Sequence, residues 1–133
     1  MTDLQAVYYR AANRREPVRD FIASLDDDAQ AALERQVDRL NMLNETMPHL
    51  PFPHSSQVDG ELRELRCHYG RQHYRILYRR SGQLLVLLHA FAKRSATIAD
   101  QDIAIAQERW EDFRARMDAP RRVPPRAAGH DAP

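Results

Sequence analysis

Of the twenty basic lysine and arginine side chains in this sequence, nineteen are arginine and one, Lys93, is lysine. A desolvated lysine can release its proton, whereas an arginine effectively cannot. Lys93 also sits where positive charge is concentrated. Residues 61–94 (ELRELRCHYGRQHYRILYRRSGQLLVLLHAFAKR) carry eight basic residues against Glu61 and Glu64, a net of +6, while the remaining chain carries −5. Within that stretch Arg66, Arg75, His89 and Lys93 fall on positions that share one strand face. Arginines offer phosphate oxygens bidentate partners, and aromatic rings receive unstacked bases. The set therefore suits RNA, which supplies its own nucleophile, the 2′-hydroxyl. A protein acting on it has to align that oxygen, stabilise charge on the phosphorane and handle two protons. No cluster of carboxylates is present in the stretch to hold a hard cation, which argues against a Mg²⁺-dependent nuclease. The plain alternative is a solvated face whose charges pair with Glu61, Glu64 or acidic helices.

The elements that must position these groups are three β-like runs separated by Tyr69-Gly70-Arg71 and Arg80-Ser81-Gly82. Short glycine-containing connections between such runs predict an antiparallel three-strand meander. Parity places Leu65, Cys67 and Tyr69 on one face of the first strand, and Glu64, Arg66 and His68 on the other. In the second, Tyr74, Ile76 and Tyr78 face away from His73, Arg75, Leu77 and Arg79. Tyr78 is thereby assigned to the core, not to proton donation. The third run is apolar on both faces, as expected of a central strand, until His89, Phe91 and Lys93 share one side. Arg66, Arg79, His89 and Phe91 are the candidate substrate contacts.

Upstream, Leu4 to Tyr9 reads as a short strand. Pro17 opens a helix with Val18, Phe21, Ile22 and Leu25 on one stripe. The run Asp26-Asp27-Asp28 caps a second helix, predicted to reach about Asn44, with Leu33, Val37, Leu40 and Leu43 inward. Its Glu34, Arg35, Asp38 and Arg39 read as a solvated face. The two helices form a hairpin over the apolar sheet face. Met47 to Asp59, with three prolines and no periodicity, reads as a loop; its His49 and His54 lack the companions a metal site needs. Downstream, a helix capped by Thr97 or Asp100 runs to about Met117, with Ile103, Ala106, Trp110, Phe113 and Met117 along a stripe that docks on the sheet or binds a partner. Residues 118–133, rich in proline and arginine, read as a disordered tail to a single domain of residues 1–117.

The length of 133 residues, with 43% hydrophobic and 29% charged residues, suits one soluble domain. No apolar run approaches the ~20 residues of a membrane span, and the N-terminus has no signal-peptide pattern. The one cysteine, Cys67, has no internal partner and falls on a core position. A cytoplasmic protein without metal or cofactor is the expectation.

The blocks Glu64-Leu65-Arg66, Tyr74-Arg75-Ile76-Leu77-Tyr78 and Leu88-His89-Ala90-Phe91-Ala92-Lys93-Arg94, with AIAQERWEDF after them and VYY…REPVRDFIASLDDDAQAALERQVDRLN before them, resemble the RelE/HigB-like toxins of type II toxin–antitoxin modules, within the RelE/ParE superfamily. The phage-related HigB-like branch is the nearest likeness, over roughly residues 5–115. The resemblance implies an α+β microbial-RNase-like fold: an antiparallel sheet packed against an N-terminal helical hairpin, with a C-terminal helix. It implies a metal-free endoribonuclease that cleaves mRNA on the ribosome by 2′-hydroxyl attack and inhibits translation. A cognate helix-turn-helix antitoxin of the HigA type would neutralise it. By motif, Arg75, Lys93 and Arg94 take the catalytic positions and Arg66 a substrate contact. Two features depart from the branch's pattern: Arg94 stands where a second lysine is common, and Ala96-Thr97-Ile98 replaces a Thr-Pro turn. Arg94 keeps the charge but cannot serve as a base. The same superfamily also admits a ParE-like inhibitor of DNA gyrase, or an inactive relative that binds antitoxin.

Overall fold

A computed structural model describes residues 3–119 and 122–129. Six strands and three helices follow one another as β1 (Gln5–Tyr8), α1 (Pro17–Ala23), α2 (Asp27–Leu40), β2 (Ser55–Asp59), β3 (Leu62–Tyr69), β4 (Gln72–Ser81), β5 (Leu84–Ala92), α3 (Asp100–Met117) and β6 (Arg126–Ala127). They build a mixed α+β structure around one sheet of order β2-β3-β4-β5-β1-β6. The expected meander is β3–β4–β5, antiparallel throughout. Its turns use Gly70 and Gly82 at φ 59°, a left-handed conformation that costs glycine little. β1 lies parallel to β5, so β5 is flanked on both sides.

Each face of the sheet has its own core. On one, α1 and α2 bury Val18, Ile22, Leu33, Val37 and Leu40 against Leu65, Cys67, Ile76, Tyr78 and Leu87. Asp26 accepts a hydrogen bond from Ala29 N at 2.9 Å and so caps α2. On the other face, Ala106, Trp110 and Phe113 of α3 pack on Leu62, Leu77, Val86 and Leu88. Burial against a β-sheet is the main stabilising term for both helical layers.

Five features differ from the sequence reading. The sheet is not antiparallel throughout, because β1 runs parallel to β5. α2 stops at Leu40, with Asn41 as its C-cap. There the Asn41 side chain turns to bond Ala6 N and Ala128 O. The cap of α3 is Ala99 and uses no side chain, leaving Asp100 and Asp102 in the first turn. The stretch expected as loop contains β2, paired with β3; its residues SSQVD carry little β signal, and pairing specifies the strand. The expected disordered tail is ordered over Arg126–Ala127, which pairs with β1 antiparallel. Ala128 N then donates to Ala6 O at 2.8 Å, and Ala128 is buried. Residues 120, 121 and 130–133 of that tail lie outside the described residues.

β5 contains a bulge. Leu77 pairs with His89 and Tyr78 with Leu87, so Leu88 is the extra residue. Leu88 and His89 consequently both serve the α3 side, one in the core and the other bonded to α3. Arg109 of α3 donates to the Leu88 carbonyl at 2.9 Å, which satisfies the group the bulge frees.

Candidate active site

Strand register arranges nine side chains in three rows on the α3 side of the meander. Glu64, Leu77 and His89 form one row, and Arg66, Arg75 and Phe91 the next. His68 pairs with His73, and Lys93 N donates to His73 O at 2.8 Å, which continues the ladder one step past β5. α3 covers the first row and leaves the others open. Where it stops, Arg66, His73, Arg75, Lys93, Arg94, Ser95 and Ala96 line an open cleft of about 380 Å³.

Glu64 holds the arginines in place. Its Oε1 lies 3.0 Å from Arg75 Nε and 3.5 Å from Arg66 Nε. The Arg75 side chain is only 3% exposed, and its Nη1 donates to the Tyr74 carbonyl at 2.9 Å. A guanidinium so tied cannot swing to follow a ligand, so Arg75 presents a fixed positive charge at the cleft floor. Arg66 is freer, and its guanidinium lies 5.1 Å from the centre of the Phe52 ring. Lys93 is half-buried. Burial lowers its pKa, and the charges of Arg75 and Arg66 lower it further, against a raising influence from Glu64. Such an ammonium gives up a proton more readily than a free lysine. Arg94 is exposed at the cleft edge.

Three expected substrate contacts lie elsewhere. His89 Nε2 bonds Asp102 Oδ1 at 2.8 Å, with Arg109 Nη1 3.3 Å from Nδ1. His89 thus fastens β5 to α3 and does not line the cleft; burial lowers its pKa, with Asp102 opposing. Phe91 stacks on His89 at 5.2 Å and lies beside the cleft, toward the start of α3. Arg79, four residues and so roughly 13 Å along β4 from Arg75, pairs with Glu61 at 2.7 Å and lies over the Trp110 ring at 4.5 Å. All three were assigned by parity, which gives the face correctly but not the extent of α3. Conversely His73 joins the cleft; parity had placed it beside Arg75, but its link to Lys93 runs through a backbone bond no periodicity reveals. Tyr78 is buried, with its hydroxyl 2.7 Å from Ser55 Oγ, as the core reading required. Cys67 is also buried, and burial pushes its thiol up to about 12, which leaves it unreactive.

Among the described residues no three His, Cys, Asp or Glu side chains are grouped as a metal ion would need. No described helix is long and apolar enough to cross a membrane.

Residues 20–111, which include α2, the whole meander, Lys93, Arg94 and most of α3, match the family described as phage derived protein Gp49-like (DUF891). The chain belongs to this family. Gp49-like proteins are associated with toxins of the RelE/ParE type from toxin–antitoxin systems. The matched region contains every residue of the cleft. No curated protein matches the chain.

Proposed function

We propose that this protein is the toxin of a type II toxin–antitoxin module, of the HigB-like branch with a RelE-like arrangement, and that it cleaves mRNA on the ribosome. The observation that carries this reading is the convergence of Arg66, His73, Arg75, Lys93 and Arg94 on one cleft with no carboxylate in its lining. The family's association with RelE/ParE toxins supports it. Residues 1–117, with β6 added to their sheet, form the toxin unit, and a cognate helix-turn-helix antitoxin holds it in check.

In this reading the scissile phosphate sits over Arg75, with Arg66 and Arg94 on its non-bridging oxygens. The 2′-oxygen attacks phosphorus, the bond from phosphorus to the 5′-oxygen breaks, and the products are a 2′,3′-cyclic phosphate and a 5′-hydroxyl. His73, the imidazole in the cleft lining, takes the 2′-hydroxyl proton. Lys93, with its lowered pKa, delivers a proton to the departing 5′-oxygen. Arg75, held by Glu64 and the Tyr74 carbonyl, stabilises the extra charge of the phosphorane without moving, and a donor fixed in advance needs no reorganisation during the reaction.

The test is primer extension on an mRNA incubated with purified protein, with and without programmed ribosomes. Discrete breaks only with ribosomes are expected, reduced by about 100-fold or more in Lys93→Ala, the usual size of an acid–base contribution. Breaks on free RNA would widen the substrate range. Intact mRNA in both arms overturns the reading, and a gyrase supercoiling assay then tests the other activity associated with this superfamily.

A further inference from the structure

A cleft fitted to one phosphate leaves the rest of a polynucleotide without support, and the outer edge of β3 supplies a surface for it. β2 accompanies β3 only as far as the pair Ser55–Leu65. Past that point Arg66 N donates to His54 O at 2.9 Å, and Gln36 of α2 donates to Arg66 O at 2.7 Å. Among the described residues no strand covers the edge from Cys67 to Tyr69. A groove of about 390 Å³ follows this edge between the sheet and α2. Arg35 and Arg39 stand on its α2 side, His54 at its end and His68 on its floor. Arg66, His73 and Arg75 line both the groove and the cleft, so the two are one continuous surface. Among the described residues none lining the groove is a carboxylate. Phe52, 71% exposed, stands beside it with the Arg66 guanidinium against its ring.

We propose that this groove is a second subsite for single-stranded RNA, in which Arg35 and Arg39 bind backbone phosphates on one side of the cleaved bond and Phe52 receives an unstacked base. The inference rests on the reading of the cleft as a site for RNA and adds where the strand goes. Arg35 and Arg39, four residues apart, point from the same helix face. Basic side chains interleaved with an exposed aromatic are the pattern by which single strands are held without sequence readout. A peptide rich in carboxylates would use the arginines but would have no use for the ring.

The experiment is anisotropy of a labelled 2′-O-methyl oligoribonucleotide, which has no free 2′-hydroxyl and so cannot be cut, titrated with the full chain at several salt concentrations. Each phosphate neutralised on a single strand contributes about 0.7 to the slope of log affinity against log salt. The Arg35→Ala/Arg39→Ala double variant is expected to lower that slope by about 1.4. Both positions are exposed, so an unchanged melting temperature will accompany the change. Phe52→Ala is expected to weaken binding about tenfold at constant slope, the effect of one lost stacking contact. No binding by the unaltered chain, or an unchanged slope in the double variant with unchanged affinity in Phe52→Ala, overturns the subsite. An unchanged slope together with lost binding to a polyglutamate peptide would reassign the groove to an acidic protein partner. If mRNA stays intact on ribosomes while the slope falls as expected, the cleavage reading fails and the groove stands. If mRNA is cut and the slope is unchanged, the groove alone fails.

Discussion

Two arginines and a lysine face one another across the cleft, and Glu64 is the carboxylate that holds the arginines apart from free rotation. Its removal leaves Arg75 buried and uncompensated. Breaking a buried pair from one side costs several kcal/mol, so Glu64→Gln is expected to lower stability by about 3 kcal/mol, seen as a lower urea midpoint at unchanged slope. An unchanged midpoint would mean that Arg75 finds another partner. The pH profile of cleavage provides a second check. Because burial, then Arg75 and Arg66, lower the pKa of Lys93, its ammonium is lost at lower pH than that of a free lysine. If Lys93 is the proton donor, the alkaline limb of the rate profile lies below the usual lysine range. Arg66→Gln removes one repelling charge and is expected to move that limb to higher pH; a limb that stays or falls would separate it from Lys93. Parity was enough to bring Arg66, Arg75 and Lys93 to one face. It could not show that α3 engages His89 and Arg79, because their partners, Asp102 and Trp110, lie on a helix whose reach along the sheet depends on tertiary packing.

Among the elements, α3 decides how much of the sheet's basic face becomes a site. Trp110 is the anchor: it is 5% exposed, stacks with Phe113 at 5.8 Å and lies under Arg79. Trp110→Ala removes the largest side chain of that layer and is expected to cost about 4 kcal/mol, measured by calorimetry, while the α1–α2 face keeps its packing. The helix itself was legible from its stripe of Ile103, Ala106, Trp110, Phe113 and Met117, and the meander from its two glycine turns. β2 was not, since Ser55–Asp59 follows a proline-rich segment and owes its extended form to β3. The bulge was equally hidden. A strict alternation along β5 would send Leu88 and His89 to opposite faces, and the inserted residue puts both toward α3.

For the whole molecule, the unexpected part is how the chain finishes. The Ala128 carbonyl accepts from Gln5 Nε2 at 3.1 Å and from Asn41 Nδ2 at 2.8 Å, and Arg126 lies 3.6 Å from buried Glu16. Gly129 follows at φ 118°, where a Cβ would run into Asn41 Nδ2. Both the conformation and the space therefore require glycine. Gly129→Ala is expected to release β6, read as fast hydrogen exchange at the Ala128 amide with the β4 and β5 amides unchanged. Equal protection in the variant would mean that Asn41 yields. Composition alone described this segment as a solvated tail, because two residues of strand and one buried alanine leave no periodic trace.

The pairing of β6 with β1 makes the first and last of the described strands hydrogen-bonded neighbours. The order in which residues are joined is therefore partly independent of the order in which they are arranged. A peptide linker from the segment after β6 to the segment before β1, with new ends opened at the exposed Gly70 or Gly82 turn, would leave every described strand where it lies. In such a rearranged chain the pairing of β6 with β1 would become a local one, while the hairpin opened at Gly70 or Gly82 would have to close across almost the whole sequence. Chains rich in local contacts fold faster, and each of these hairpins carries more pairs than β1 with β6, so the rearranged chain is expected to reach the same sheet more slowly.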